Sequence, residues 1–359
     1  MRYLCKDCWI AHTPATLLAR CHVCDANAHI QRLDPLESLA GTAQPAPGER
    51  PELVCRRHPT EPLDIFCGEC RRPLSPRTLF NDRSVIAVLG ATGSGKTSLL
   101  WVLNQRLRGA NGLPLQIRQS LGDSDEQLEQ AVRDLYISGQ ARATARQDAI
   151  ARNYAWELMT TLQRPRRSAL VAFHDAAGEV WNDLDRLPRE EFERLYRYLD
   201  LVGSVIFLID GERLAETLAG AQGRRPTAQA QQAEAQEIAI LDAIERRLKL
   251  RRSETPVAVV ISKADVLWDD PRWAVFRGES DAPLADVQAA ARALLEAAGR
   301  GAIVNAFDQV FGATGYFAVS AFGRSVVAGE PLAFDTIRPA RIEEPLLALI
   351  GDEVADGIA

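Results

Sequence analysis

The sequence predicts an α/β fold, a three-layer domain with a mostly parallel six-stranded sheet, preceded by small metal-binding modules. Three observations lead to it. Six short apolar runs, at residues 85–89, 154–162, 169–173, 201–209, 256–261 and 316–319, have the length of buried strands. Helical spacing appears between several of them, at Leu99, Leu100 and Leu103 and again at Ile238, Leu241 and Ile244. All seven cysteines lie before residue 71, outside the strand-bearing part of the chain.

A chain of 359 residues with 47% hydrophobic and 25% charged content can hold one large α/β domain and something small beside it. Its net charge of −6 argues against a general binder of nucleic acid or membrane surfaces, so nucleic acid is not an expected partner. No apolar run approaches the roughly 18 residues of a spanning helix, and the opening Met1-Arg-Tyr-Leu-Cys5 has no signal-peptide pattern. A cytoplasmic setting is the expectation. In such reducing surroundings, cysteines in C-x-x-C and C-x-x-H pairs point to metal rather than to disulfides.

In chain order, Cys5-x-x-Cys8 and Cys21-x-x-Cys24 are two knuckles separated by twelve residues, close to the spacing of a Cys₄ zinc ribbon over residues 1–33. Residues 34–53 carry Pro, Gly and Ala without periodicity and read as a linker. Cys55-x-x-His58 and Cys67-x-x-Cys70 then supply a Cys₃His set over residues 54–80, with Leu63, Ile65 and Phe66 as its small apolar cluster. The run from Cys55 to Cys70 resembles the first half of a B-box zinc finger, whose second ligand set is absent here. Two Zn²⁺ ions in sequential modules are expected, and interleaved ligand pairs, as in RING-type cross-braces, are the alternative. Residues 1–83 hold eleven basic and ten acidic side chains, no footprint for phosphate, so the modules are expected to contact a protein partner.

Residues 83–352 form the large domain. Its first strand runs into Gly90-Ala91-Thr92-Gly93-Ser94-Gly95-Lys96-Thr97-Ser98, which fits the phosphate-loop pattern between a strand and a helix. Loop N–H groups wrap a β-phosphate at the helix N-terminus, Lys96 reaches the β- and γ-phosphates, and the Thr97 hydroxyl binds Mg²⁺. Only four Lys stand among 42 basic residues, yet Lys96 and Lys263 both fall in nucleotide motifs. Those positions want a compact ammonium on a thin stem, which a planar guanidinium does not replace.

The helix after the loop ends near Gly109, and residues 109–152 read as polar and Gly-containing, with a helical stretch near 123–136. The runs at 154–162 and 169–173, joined by Q-R-P-R-R-S, suggest an antiparallel pair. Asp175-Ala-Ala-Gly178 follows at once. Asp210 closes the next strand, where Asp commonly begins a turn, and residues 219–235 read as a mobile loop. The fifth strand ends in Ser262-Lys263-Ala264-Asp265, and the sixth in Ser320-Ala321.

The phosphate loop, Asp175-x-x-Gly178, Ser262-Lys263-Ala264-Asp265 and Ser320-Ala321, each at a strand end and in this order, resemble the boxes of P-loop GTPases of the translation-factor and Ras-like class. The run I-A-V-L-G-A-T-G-S-G-K-T-S-L-L and the ending Pro345-Leu-Leu-Ala-Leu-Ile look like the bacterial double-GTPase proteins of conflict-type gene clusters. The resemblance implies GTP/GDP and Mg²⁺ as ligands. It implies that Asp265 accepts two hydrogen bonds from guanine, that Lys263 packs over the base, and that a Ser320-Ala321 amide meets O6. Ser262 departs from the usual Asn or Thr. The resemblance further implies that Asp175 holds Mg²⁺ through water, that the Gly178 amide meets the γ-phosphate, and that a first-switch Thr, for which Thr144 is the candidate, caps both. Glu179 stands where Ras-like families carry a water-orienting Gln; a carboxylate there cannot donate to phosphate, so slow GTP hydrolysis is expected. An ATPase, and a binding module with negligible hydrolysis, are the alternatives.

Overall fold

The structure, a computed structural model, describes residues 3–5, 11–12, 16–24, 31–32, 55, 57–58, 63–74, 83–109, 113–120, 124–136, 152–160, 168–175, 201–220, 227–247, 255–278, 282–311, 313–324 and 336–356. Six strands of the cysteine-rich part come first: β1 (Tyr3–Leu4), β2 (Ala11–His12), β3 (Leu18–Arg20), β4 (Gln31–Arg32), β5 (Asp64–Phe66) and β6 (Pro73–Leu74). β1 pairs with β2, and the other four form a sheet in the order β4-β3-β5-β6. The β3–β5 pairing, Ala19 opposite Ile65, joins segments that the sequence assigns to two separate modules. The proline-rich stretch between them separates them in sequence and not in the sheet. The expected linker itself lies outside the described residues.

The large domain is built on β7 (Arg83–Gly90), β8 (Leu115–Ser120), β9 (Arg152–Thr160), β10 (Ser168–Asp175), β11 (Ser204–Asp210), β12 (Pro256–Ser262) and β13 (Ala313–Ala318). They form one seven-stranded sheet in the order β13-β12-β11-β7-β10-β9-β8. The first five in that order run parallel, and the expected antiparallel pairing of β9 with β10 is present. Among the described residues seven strands stand in place of the expected six, because β8 does not form an apolar run. As an edge strand it buries only alternate residues, Leu115 and Ile117, and shows Gln and Arg between and after them.

The helices are α1 (Lys96–Arg108), α2 (Ser124–Tyr136), α3 (Gly211–Gly220), α4 (Ala228–Arg247), α5 (Leu284–Ala297), α6 (Gly301–Val310) and α7 (Glu344–Asp356). Alternate residues of each central strand feed two cores. Val85, Ala87, Leu89, Phe207 and Val259 pack with Ile240 and Ile244 of α4, Leu294 of α5 and Phe307 of α6. Ile86, Val88, Leu208 and Val260 pack with Leu100 and Leu103 of α1, Leu128 of α2 and Leu346 of α7. Strands buried on both faces explain why they read as unbroken apolar runs.

Part of the stretch expected as a mobile loop is helix. The Thr227 hydroxyl accepts from the Ala230 N–H at 3.2 Å, an N-cap that starts α4. Ala and Gln at 228–236 are good helix formers whose low hydropathy hid them.

Candidate functional site

Five strand ends converge on one edge of the sheet. β7 ends at Gly90, β10 at Asp175, β11 at Asp210, β12 at Ser262 and β13 at Ala318, all pointing the same way. After β7 the chain builds one side of the sheet, β8 to β10, and then crosses to β11 on the other side. The phosphate loop therefore leaves the carboxyl end of the strand where winding reverses, the usual ligand crevice of an open α/β sheet.

Gly90 has φ 153°, and a Cβ there would lie 2.5 Å from the Leu208 carbonyl and 2.7 Å from Ser94 Oγ, so no side chain fits. Gly95, at φ 82°, opens α1, and its carbonyl accepts the Leu99 N–H at 2.9 Å. Lys96, 8% exposed, donates to the Gly90 and Ala91 carbonyls at 2.9 and 3.0 Å, which holds its ammonium inside the loop. Ser98 is buried behind it, and Thr97 is half-buried in the first turn. Ser94 is fully buried with a hydroxyl that has no partner among the described residues. A side-chain-free cradle, a buried ammonium and an orphaned hydroxyl at a helix N-terminus fit a phosphate chain.

The second motif is assembled by the β11–β12–β13 register. The Ser262 hydroxyl donates to the Ile209 carbonyl at 3.2 Å, so Ser262 anchors the box to the neighbouring strand even without the usual Asn or Thr. Lys263 turns the backbone to φ 49°, and the Ala264 N–H donates to the Val319 carbonyl at 3.0 Å. The Ser320 hydroxyl donates to Asp265 Oδ1 and accepts the Gly323 N–H at 2.8 Å. Ser320 is thus a positioning group for the carboxylate expected to read guanine. Ala321 follows it and packs against the second core.

Two carboxylates that the sequence did not single out for this role hold Lys263. Its ammonium lies 2.9 Å from Asp210 and 2.7 Å from Glu212. Burial pulls this lysine down, but Asp210 and Glu212 outweigh it and keep the ammonium above its ordinary pKa. Gly211 sits between the two carboxylates, and a Cβ there would meet the Ser262 carbonyl at 2.4 Å. The visible signal was an Asp at a strand end, read only as a turn starter.

Backbone register places Asp175 opposite Val88, two residues before Gly90, on the strand beside the phosphate loop. Thr144, Gly178 and Glu179 lie outside the described residues.

The cysteines group in an order the sequence did not predict. Cys21, Cys24, Cys55 and His58 form one cluster, and Cys5, Cys67 and Cys70 another; within each, ligand atoms lie within 4.8 Å of one another. The second pair joins the third, and Cys5 of the first joins the fourth. This nested arrangement corrects both the sequential sets and the interleaved alternative, because strand pairing rather than spacing decides which knuckles face each other. Cys8 lies outside the described residues.

The donor chemistry fits zinc. Cys24 Sγ lies 3.3 Å from Cys55 Sγ and 3.2 Å from His58 Nδ1, and Cys21 Sγ lies 3.6 Å from that nitrogen. Tetrahedral zinc with bonds of about 2.0–2.3 Å implies ligand separations of about 3.3–3.8 Å. In the other cluster Cys5 and Cys70 are 3.6 Å apart, and the Glu69 and Cys70 N–H groups both donate to Cys67 Sγ at 3.4 Å. At Cys55 burial pushes the thiol up, but hydrogen bonds from Cys24 and Cys21 outweigh it and lower the thiol, while two other cysteines move the other way. Cys24 is pushed up to about 11, first by its hydrogen bond to Cys55, and Cys70 to about 12, first by burial. A cation at the centre reverses that preference and holds the thiolates together.

No helix among the described residues is long and apolar enough to cross a membrane. A search of curated proteins finds none that matches the chain. The profile of the Double-GTPase 2 family matches residues 84–311, from the first residues of β7 through α6, and includes both the phosphate loop and the Ser-Lys-Ala-Asp box. With more than half of its length inside that profile, the chain belongs to the Double-GTPase 2 family, a membership that points to guanine-nucleotide binding.

Proposed function

We propose that the protein is a guanine-nucleotide switch that binds GTP and GDP, hydrolyses GTP slowly alone, and meets a protein partner through its zinc-holding N-terminal part. The observation that carries the reading is Asp265, fixed by the Ser320 hydroxyl beside a phosphate loop. A carboxylate held in one orientation matches the N–H pair of guanine, and adenine offers no such pair. In this reading Lys96 neutralises charge on the transferring phosphoryl group, and loop N–H groups orient it. Bound Mg²⁺ would add charge stabilisation at the β- and γ-phosphates, with Thr97 and, through water, Asp175 as the residues that hold it. The roles of Thr144, Gly178 and Glu179 rest on resemblance. Glu179 adds a negative charge where a neutral amide would orient water. An arginine supplied at the γ-phosphate contributes roughly 10³- to 10⁵-fold in other GTPases, so a partner that brings one would outweigh that handicap.

The test is a competition titration of the full chain with Mg²⁺. GDP and GTP should displace a fluorescent guanine nucleotide at concentrations at which ATP does not. Asp265→Asn should weaken guanine nucleotides by roughly 2–3 kcal/mol, the scale of a buried charge-assisted pair, and favour xanthosine nucleotides. Equal affinity for ATP and GTP would remove the guanine assignment, and single-turnover hydrolysis at an ordinary enzymatic rate would remove the slow switch.

A further inference from the structure

The apex of the phosphate loop has a partner far away in sequence. The Thr92 N–H donates to Gln236 Oε1 at 3.1 Å, a contact across 144 residues. Thr92 and Gly93 are the exposed tip of the loop, and a Cβ on Gly93 would touch nothing within 4 Å. The Ser94 N–H donates to the Ala91 carbonyl at 3.1 Å and closes the turn, but that bond leaves the Thr92 N–H itself to be held from outside the loop. Gln236, by contrast, is 5% exposed on α4.

The helix that carries Gln236 is itself held firmly. Ile240, Leu241, Ala243 and Ile244 bury against the sheet, and Ala233 is buried as well. The next residue, Glu237, is fully buried, with its carboxylate 3.3 Å from Arg300 Nε at the start of α6, and Arg300 also pairs with Glu234. A side chain with little rotamer freedom left, on a helix fixed on two sides, is suited to hold a loop rather than to follow it.

We propose that Gln236 is a positioning residue of the nucleotide site, which fixes the Thr92 peptide and so preorganises the phosphate loop for the β-phosphate. The inference rests on the nucleotide reading above and deepens it. Loop N–H groups act on phosphate only when aimed, and a loop that must be ordered at binding loses affinity by the cost of ordering it. The tether removes that cost beforehand. Its effect is expected at the phosphate end, because its bond is to the Thr92 peptide at the tip of the loop, whereas Ser262 is held by the Ile209 carbonyl and Asp265 by the Ser320 hydroxyl.

The experiment compares wild type with Gln236→Leu, which keeps the volume and deletes the acceptor. Affinities for GMP, GDP and GTP are measured with Mg²⁺, together with the hydrogen exchange of the Thr92 amide. Loss of one neutral hydrogen bond should weaken GDP and GTP roughly 3- to 10-fold and speed Thr92 exchange, while GMP, which lacks the β-phosphate, binds as before. Gln236→Glu retains an acceptor for the Thr92 N–H and should keep that amide protected, which covers the case in which the leucine variant fails to fold. Equal weakening of GMP and GDP would make Gln236 a structural residue only and overturn the proposal. Unchanged GDP affinity with lost Thr92 protection would overturn it too. A wild type that binds no guanine nucleotide would instead overturn the nucleotide reading, and this inference with it.

Discussion

The cysteine-rich part and the large domain hold themselves together by different means. The large domain buries both faces of a seven-stranded sheet, with Phe207, Phe307, Phe317 and Trp156 almost fully enclosed. The core of the N-terminal part is Leu17, Ala19, Ile65 and Leu74 with the thiols of Cys5 and Cys67. Two of its six members belong to the candidate metal cluster, so core and candidate metal site are one object. A cluster that small does not offset the conformational entropy of its chain, whereas the sheet domain does. The difference teaches where each part is vulnerable: one to loss of an ion, the other to loss of apolar volume.

The largest expected effect follows from removing zinc. Structural zinc contributes about 10–16 kcal/mol to the folding of small domains at neutral pH. A strong chelator should therefore unfold the N-terminal part while the large domain keeps its thermal transition. Elemental analysis before chelation should give two ions per chain, and limited proteolysis after it should cut within the first 74 residues only. A single cooperative loss of both parts would erase the contrast.

On the other side, Phe307→Ala should cost about 3–5 kcal/mol in the large domain, the usual scale for emptying a fully buried aromatic position. Its ring lies 4.9 Å from Phe207 and 5.5 Å from Phe311, so the vacated space is walled by rigid neighbours. Denaturant unfolding would measure the loss, and zinc content should stay unchanged.

The smallest effect tests a polar weak point within the well-packed part. Burial pushes Glu237 up to about 7; Arg300 opposes that rise, and Glu234 and Asp210 add to it. A carboxyl that binds its proton more tightly folded than unfolded stabilises the protein fully below the ordinary carboxylate range, and that contribution is lost as pH rises through about 7. Between pH 4.5 and pH 8 the wild type should lose up to roughly 3 kcal/mol relative to Glu237→Gln, whose amide does not titrate. The constant penalty of leaving Arg300 with Glu234 alone does not move with pH. Parallel pH profiles for the two proteins would refute a buried titrating Glu237.

The same contrast explains what the sequence could tell. Five of the seven sheet strands are parallel and doubly buried or beside such strands, so they appear as apolar runs, and the boxes at their ends were legible as chemistry. β8 was not, because half of its residues face away from the core. Asp210 and Glu212 were readable only as a strand-end Asp and a helix-start Glu, since their partner Lys263 lies beyond α4 in the chain. Gln236 carried no signal at all: a glutamine among alanines and glutamines becomes distinctive only once the helix brings it to Thr92. In the N-terminal part, spacing picked out the knuckles but not how the described cysteines and His58 group, because four pairs in series leave the pairing to tertiary structure.

The nested knuckles also impose an order in time. Cys24 and Cys55 are 31 residues apart, whereas Cys5 and Cys70 are 65 apart. On a ribosome that adds about 5–20 residues per second, the inner four ligands are all made before Cys67 and Cys70 exist. Closing the inner site first removes its loop from the chain that the outer site must later close, and loop-closure entropy falls with the length left free. An inner ion would therefore be a rehearsal for an outer one: metal captured early would shorten the search of Cys5 for partners that are synthesised last.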